Sequence, residues 1–298
     1  MSRRKLKGGR STTSPVRDSS NDDIFNRMRK ERYVVYPPDR KDIFHSLKHY
    51  SGNVPPGKYG KVYNSIKRYF PTQNDHTVYS IPGVHDEGNC FYDTISSAMN
   101  IDDWHDQSLS KRRKIGLDLR KTIYGSITKK RWETFWKLKK VDLKQVPSYQ
   151  EIRKQIKNPR TWADVFAILY VADKLHINLL VFDTTTGRLY CGTNQQVEGK
   201  MVHPTTVFMA WIAHSHFSPL MEVDTRTMRI KLRFTEHDAI LIHVLRLYEK
   251  EGCPAVTIHH ILRRRRRQQQ RGGGKSKKEL KKKKKKSSRR KHKVLQYY

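Results

Sequence analysis

The feature that most limits what this chain can fold into is the placement of its charge. Of 298 residues, 62 are Lys or Arg and only 28 are Asp or Glu, a formal net charge of +34. Residues 263–293 alone hold 19 basic side chains and one acid, Glu279. A run such as Lys281 to Lys286 repels itself and offers nothing apolar to bury, so no packed structure is expected there. Residues 1–32 add ten basic and four acidic groups in a Ser/Arg/Asp-rich, weakly patterned segment. The remaining +10 lies between these ends. Five regions are expected: a disordered basic segment at 1–30, a lead-in at 31–80, a globular domain at 81–234, a helical pair at 235–262 and a disordered polybasic tail at 263–298.

The longest uninterrupted apolar run is Val207 to Ala213, seven residues. A membrane span needs roughly 20, so none is expected. The first residues, MSRRKLKGGRSTTSP, carry charge without an apolar stretch and do not resemble a signal peptide. Three cysteines (Cys90, Cys191, Cys253) at long spacings, with no CxxC, argue against a disulfide framework or a Cys-rich zinc site. No metal and no cofactor are expected. Reduced thiols place the chain in the nucleus or cytoplasm.

Within the globular region, WADVFAILYVADKL (162–175) has apolar residues at Trp162, Val165, Phe166, Leu169 and Ala172, a helical period with Thr161 as cap. INLLVF (177–182) and VFMAWIA (207–213) are predicted buried strands. MRIKLRF (228–234) alternates strictly and predicts a final strand. Residues 111–140 predict basic helices with Ile115, Leu117, Leu119, Ile123, Ile127, Trp132, Phe135 and Trp136 turned inward. Gly57-Lys58-Tyr59-Gly60-Lys61 lacks the spacing of a phosphate loop and predicts a turn.

The segment HDEGNCFYDTI (85–95) carries the chemistry. An acidic, Gly-containing turn delivers Cys90 to the start of a helix with Ile95 and Met99 on one face. A helix N-terminus favours thiolate over thiol. Its unbonded N–H groups point to where an oxyanion would form. A cysteine nucleophile also needs a base, for which imidazole suits the pH range. Spacing alone does not choose among fourteen histidines, and a capped core cysteine is the structural alternative.

Gly88-Asn89-Cys90-Phe91-Tyr92 resembles the nucleophile motif of the ovarian-tumour (OTU) family of cysteine proteases, Asp-Gly-Asn-Cys-(Leu/Phe)-(Phe/Tyr). A Trp-led helix followed by a buried strand is a second family block, matched by Trp162 to Leu175 and Ile177 to Phe182. A third is an apolar strand ending in His-aromatic-Asn, matched by VFMAWIAHSHFSPL (207–220) with His216-Phe217-Ser218. The three blocks stand in family order over residues 80–222. The resemblance implies an α/β (α+β), papain-like OTU cysteine protease fold, a small central sheet flanked by helices, acting on ubiquitin or ubiquitin-like conjugates.

Carried over residue by residue, Cys90 is the nucleophile and His216 its base. Backbone N–H groups of Cys90 and the turn Asp86, Glu87, Gly88 and Asn89 hold the oxyanion. His214, two residues before His216, falls on the same face if the strand alternates; the aromatic after His216 favours the latter. Two positions depart from the family. Glu87 stands where Asp is usual, with Asp86 one place further off. Ser218 stands where the orienting Asn or Asp is usual, and it brings no charge to an imidazolium. Asp86 is the alternative third group. An active variant triad, a slow enzyme, an inactive fold serving as a basic DNA- or RNA-binding protein and an inactive ubiquitin binder all remain open on the sequence.

The tail (Arg263, Arg264, Arg265, Arg266, Arg267 and Lys281, Lys282, Lys283, Lys284, Lys285, Lys286) offers phosphate contacts without base readout, or a nuclear import signal; a solubilising tail is the alternative. The expected partners are ubiquitin-type conjugates and nucleic acid, with no membrane. In residues 235–262, Thr235 and Asp238 resemble a capping box ahead of a helix at 239–252, and 255–265 predicts a second helix. Together with the arginines, residues 233–271 loosely resemble a Myb/SANT helix-turn-helix without its tryptophans. OTU-like domains with highly basic flanks resemble proteins of large DNA viruses, which would place the chain in a host nucleus or a virion.

Overall fold

A computed structural model describes residues 47–71, 76–85, 87–138, 141–191 and 203–250, with Phe25, Asn26, Met28 and Val34–Val35. Asp86, Cys253, the second helix expected at 255–265 and the polybasic tail lie outside the described residues. Among the described residues no helix is long and apolar enough to cross a membrane.

The architecture is a mixed α/β fold around one sheet. Its strands are β1 (Val34–Val35), β2 (Tyr59–Lys61), β3 (Thr77–Pro82), β4 (Ile177–Asp183), β5 (Leu189–Cys191), β6 (Thr205–Ile212), β7 (His216–Asp224), β8 (Arg229–Lys231) and β9 (Arg233–Phe234). The order is β1-β8-β7-β6-β4-β5; β3 also pairs with β7 and β2, and β9 with β6. Among the named strands only β4 and β6 pair in parallel; Lys48 adds an isolated parallel bridge to Gly60 of β2. The sheet is broader than the small one expected, because the lead-in supplies β2 and β3. The stretch after Gly57 enters strand β2 through a turn and forms no phosphate loop.

The helices are α1 (Cys90–Met99), α2 (Leu109–Ser126), α3 (Lys129–Leu138), α4 (Tyr149–Lys157), α5 (Val165–Leu175) and α6 (Ala239–Lys250). Alternation along the strands sorts the core into two halves. Leu179 and Val181 of β4, with Val207 and Met209 of β6, face the core shared with α1, α2, α3 and α5. Leu180 and Phe182, with Phe208 and Ala210, face the opposite core, closed by Ile66, Tyr69 and Phe70 and by Ile240 and Val244 of α6. Strand β4 is therefore buried along its whole length, which explains its continuous apolar run. Helix α1 is buried at every position, the mark of a central helix.

Several local expectations are corrected. The predicted final strand divides at Leu232: Arg229–Lys231 pairs with β7 and Arg233–Phe234 with β6. Helix α5 starts three residues later than expected. Its cap is Asp164, extended at φ −94 and ψ 179, whose carboxylate accepts from the Ala167 N–H at 2.9 Å; Thr161 does not cap it. Trp162 precedes the helix and is 53% exposed instead of opening its buried face. Leu117 is only half-buried, while the other seven inward positions of 111–140 are buried. The Asp238 carboxylate does accept from the Thr235 N–H at 2.7 Å, but in a turn just before α6. That helix lays Ile240, Leu241, Val244 and Tyr248 on the sheet.

Candidate active site

The turn ahead of α1 is shaped by Gly88. Its φ is +77°, and a Cβ there would lie 2.5 Å from the carbonyl carbon of Arg160 and 2.8 Å from the Pro159 oxygen. Only glycine meets both demands. Asn89 occupies the N-cap position, yet its side chain makes no capping bond. Its amide instead donates to Asp93 Oδ1 at 3.1 Å. The first N–H groups of α1 are thus not claimed by Asn89, and Cys90 sits among them at the positive end of the helix.

Beneath the turn lies a pair of titratable side chains that sequence reading missed. Asp93, one turn after Cys90, is fully buried and lies 3.2 Å from His85 Nδ1. Burial raises its carboxyl pKa above the ordinary value, while His85 and Asn89 pull it back in part. Gly116 of α2 packs directly on this group: a Cβ would fall 1.6 Å from Asp93 Oδ1 and 2.8 Å from Asn89 Nδ2. Glu87, by contrast, turns outward and pairs with Arg113, both side chains at least half exposed.

Arg120 of α2 is 3% exposed. Its Nε donates to the Ile156 carbonyl (2.6 Å), its Nη1 to Gly88 (3.0 Å) and Pro159 (3.2 Å), and its Nη2 to Gln155 (3.0 Å), Asn158 (2.5 Å) and Thr161 (2.6 Å). The guanidinium carbon stacks 4.9 Å above the Tyr92 ring. One side chain thereby ties the Gly88 turn to the segment 155–161.

Across the site, β7 opens with His216, 1% exposed. His216 Nε2 and Ser218 Oγ are 3.1 Å apart, and Ser218 is fully buried. Helix α1 packs on β7, where Phe91 meets Phe217 edge-on at 5.8 Å; His216 and Ser218 alternate with Phe217 and stand opposite Ile212 and Ala210 of β6. His214 does not share this face. It lies in the β6–β7 turn at φ +56°, stacks on Trp211 and contacts Asp183 Oδ2 at 2.9 Å. Asp183 also accepts from Thr185 and Thr186, so His214 closes a turn. Cys191 is buried in the core half that faces away from α1, opposite the one holding Cys90. Among the described residues, no group of three or more His, Cys, Asp or Glu is placed to hold a metal ion.

No family model matches the chain, and no curated protein matches it. The solved structures it is similar to include an OTU domain in complex with ubiquitin, 15% identical, covering 59% of this chain and 90% of that one, with a TM-score of 0.39. The OTU domain of OTUD1 is 13% identical over 48% of this chain and 85% of that one, with a TM-score of 0.34. The Hazara virus OTU bound to ubiquitin is 13% identical over 50% of this chain and 92% of that one, with a TM-score of 0.27. All three are OTU domains.

Proposed function

We propose that the chain is a cysteine-type hydrolase of OTU character, cleaving ubiquitin or ubiquitin-like conjugates through Cys90, His216 and Ser218. The observation that carries the reading is the junction of α1 with β7. Helix α1, which begins at Cys90 with no cap from its own Asn89, packs on β7, a strand that opens with a buried histidine 3.1 Å from the Ser218 hydroxyl. The ubiquitin-type substrate follows from the sequence blocks at 88–92, 162–182 and 207–220.

In this reading His216 takes the Cys90 proton and the thiolate attacks the carbonyl carbon of the modifier's terminal glycine. N–H groups of Cys90 and the Gly88-Asn89 turn hold the oxyanion. The C–N bond breaks as the imidazolium protonates the leaving lysine amine. Water, deprotonated by His216, then hydrolyses the thioester and restores the thiol. Ser218 fixes the ring but brings no negative charge; in a Ser-His-Asp system, losing that role of the carboxylate costs about 10⁴-fold in kcat. Burial of both reactive groups and the neutral Ser218 favour a slow enzyme, or a ubiquitin binder without turnover, as the second reading.

The experiment is turnover of a fluorogenic ubiquitin C-terminal amide by the full chain. Release that vanishes in Cys90→Ala and His216→Ala supports hydrolysis. Binding without release supports the second reading, and neither from folded protein removes both. The basic segment from Arg263 is assigned to phosphate contacts on nucleic acid or to nuclear import, on its charge alone. Salt-dependent DNA binding that survives deletion after residue 262 would reject the first assignment.

A further inference from the structure

Arg120 is a cation sealed inside the protein and solvated by six backbone carbonyls. Carbonyl dipoles satisfy its N–H groups but do not neutralise its charge, and a buried charge left uncompensated is costly. One of the six acceptors is Gly88, two residues before the cysteine. The ring it stacks on, Tyr92, is two residues after it. The guanidinium therefore lies under the first turn of α1, where any negative charge on Cys90 would form.

We propose that Arg120 is the positioning residue of the nucleophile, fixing the Gly88 turn and holding the thiolate charge of Cys90 from beneath the helix start. The proposal rests on the reading of Cys90 as nucleophile. Burial lowers the guanidinium's own pKa, while Tyr92 and then Cys90 favour its charged form. That coupling is reciprocal, so the cation favours thiolate at Cys90. The other ionisable groups on the elements meeting here are His85 and Asp93, which contact each other, His216 of β7, Asp164 beside Tyr92, buried Arg112 and the surface groups Glu87, Arg113, Lys114, Asp118, Lys121, Lys157 and Arg160. Arg120 differs from these in joining charge to a fixed backbone fan. Removing it would both loosen the turn and raise the thiol pKa.

The test is the pH dependence of iodoacetamide labelling of Cys90 in the full chain, located by peptide mass so that Cys191 and Cys253 do not contribute. It requires no ubiquitin, so failure of the proposed substrate leaves this result readable. Wild-type protein should show a midpoint below the ordinary thiol value of about 8.5. Arg120→Gln should raise the midpoint by roughly one to three pH units, the range for losing a nearby opposite charge. Arg120→Lys, which keeps charge but loses the fork, should restore most of the shift. A purely structural role predicts equal shifts in both variants and would overturn the proposal, as would an unchanged midpoint in folded Arg120→Gln. If Arg120→Gln does not fold, the wild-type protein decides. The ¹⁵Nε resonance of Arg120 should inflect at the Cys90 midpoint and lose that inflection in Cys90→Ala. Its absence in wild type would equally overturn the proposal.

Discussion

Gly116→Ala is the substitution through which the packing beneath the nucleophile is best tested. The new methyl carbon would sit 1.6 Å from Asp93 Oδ1 and 2.8 Å from Asn89 Nδ2. Ordinary contact needs about 3.5 Å, so the carboxylate must retreat by nearly 2 Å. Asp93 is a short side chain on the fully buried α1, so the movement passes to the helix itself. Overpacking a core typically costs 1–3 kcal/mol. Breaking the Asn89–Asp93 bond (3.1 Å) leaves a buried acceptor short of a donor, about 1–3 kcal/mol more. The two together predict about 2–6 kcal/mol of lost stability, a large part of the 5–15 kcal/mol typical of a domain. Urea unfolding followed by fluorescence, compared at equal slope, reads this directly. An exposed control, Gly125→Ala, meets nothing within 4 Å and should stay close to wild type. A Gly116→Ala protein within 0.5 kcal/mol of wild type would refute the packing argument.

Three further outcomes are expected. Ser218→Ala removes the hydroxyl at 3.1 Å from His216 and should slow substrate turnover about tenfold, the worth of one neutral hydrogen bond; Ser218→Asn should react at least as fast as wild type, and a slower Asn variant would deny Ser218 its orienting role. Burial pushes the Asp238 carboxyl up, but Lys231 and the Thr235 N–H outweigh it and leave its pKa below the ordinary value. A depressed folded value means stability present above the unfolded pKa of about 3.9 and lost as pH falls through the folded one, so wild type should exceed Asp238→Asn by up to about 1 kcal/mol at pH 6 and lose that margin in acid; a constant gap would contradict the linkage. Deletion after residue 262 should flatten the salt dependence of DNA binding, by a slope near −9 if about ten phosphates are met, and leave the thiol chemistry unchanged.

Much of the site is legible because it is local. Gly88, Asn89 and Cys90 are adjacent, and the turn-to-helix geometry follows from glycine freedom and the apolar run after it. His216 and Ser218 alternate on one strand, so their pairing needs no distant contact. The strands at 177–183 and 205–212 show as continuous apolar runs because both faces are covered. What escapes reading depends on distant partners. Arg120 stands in a basic stretch that looks like a solvated helix face, and its acceptors lie 32 to 41 residues away. One signal was available: Arg112, Gly116 and Arg120 fall on the same stripe as Ile115, Leu119 and Ile123, so the two arginines had to be buried. Asp93 gave a similar sign, an acid inside an apolar helix. Trp162 misled because its spacing fits a helix that Asp164 starts later. His214 misled because alternation was extended through a turn, where left-handed backbone turns the ring toward Asp183.

The most direct measurement is intact mass after mixing full-length protein with ubiquitin bearing a C-terminal electrophile. A one-to-one covalent adduct, absent from Cys90→Ala and strongly slowed in His216→Ala while both variants keep the wild-type unfolding transition, is the predicted result. Folded wild-type protein that never gains the mass of ubiquitin, or an adduct that persists without Cys90, would contradict it.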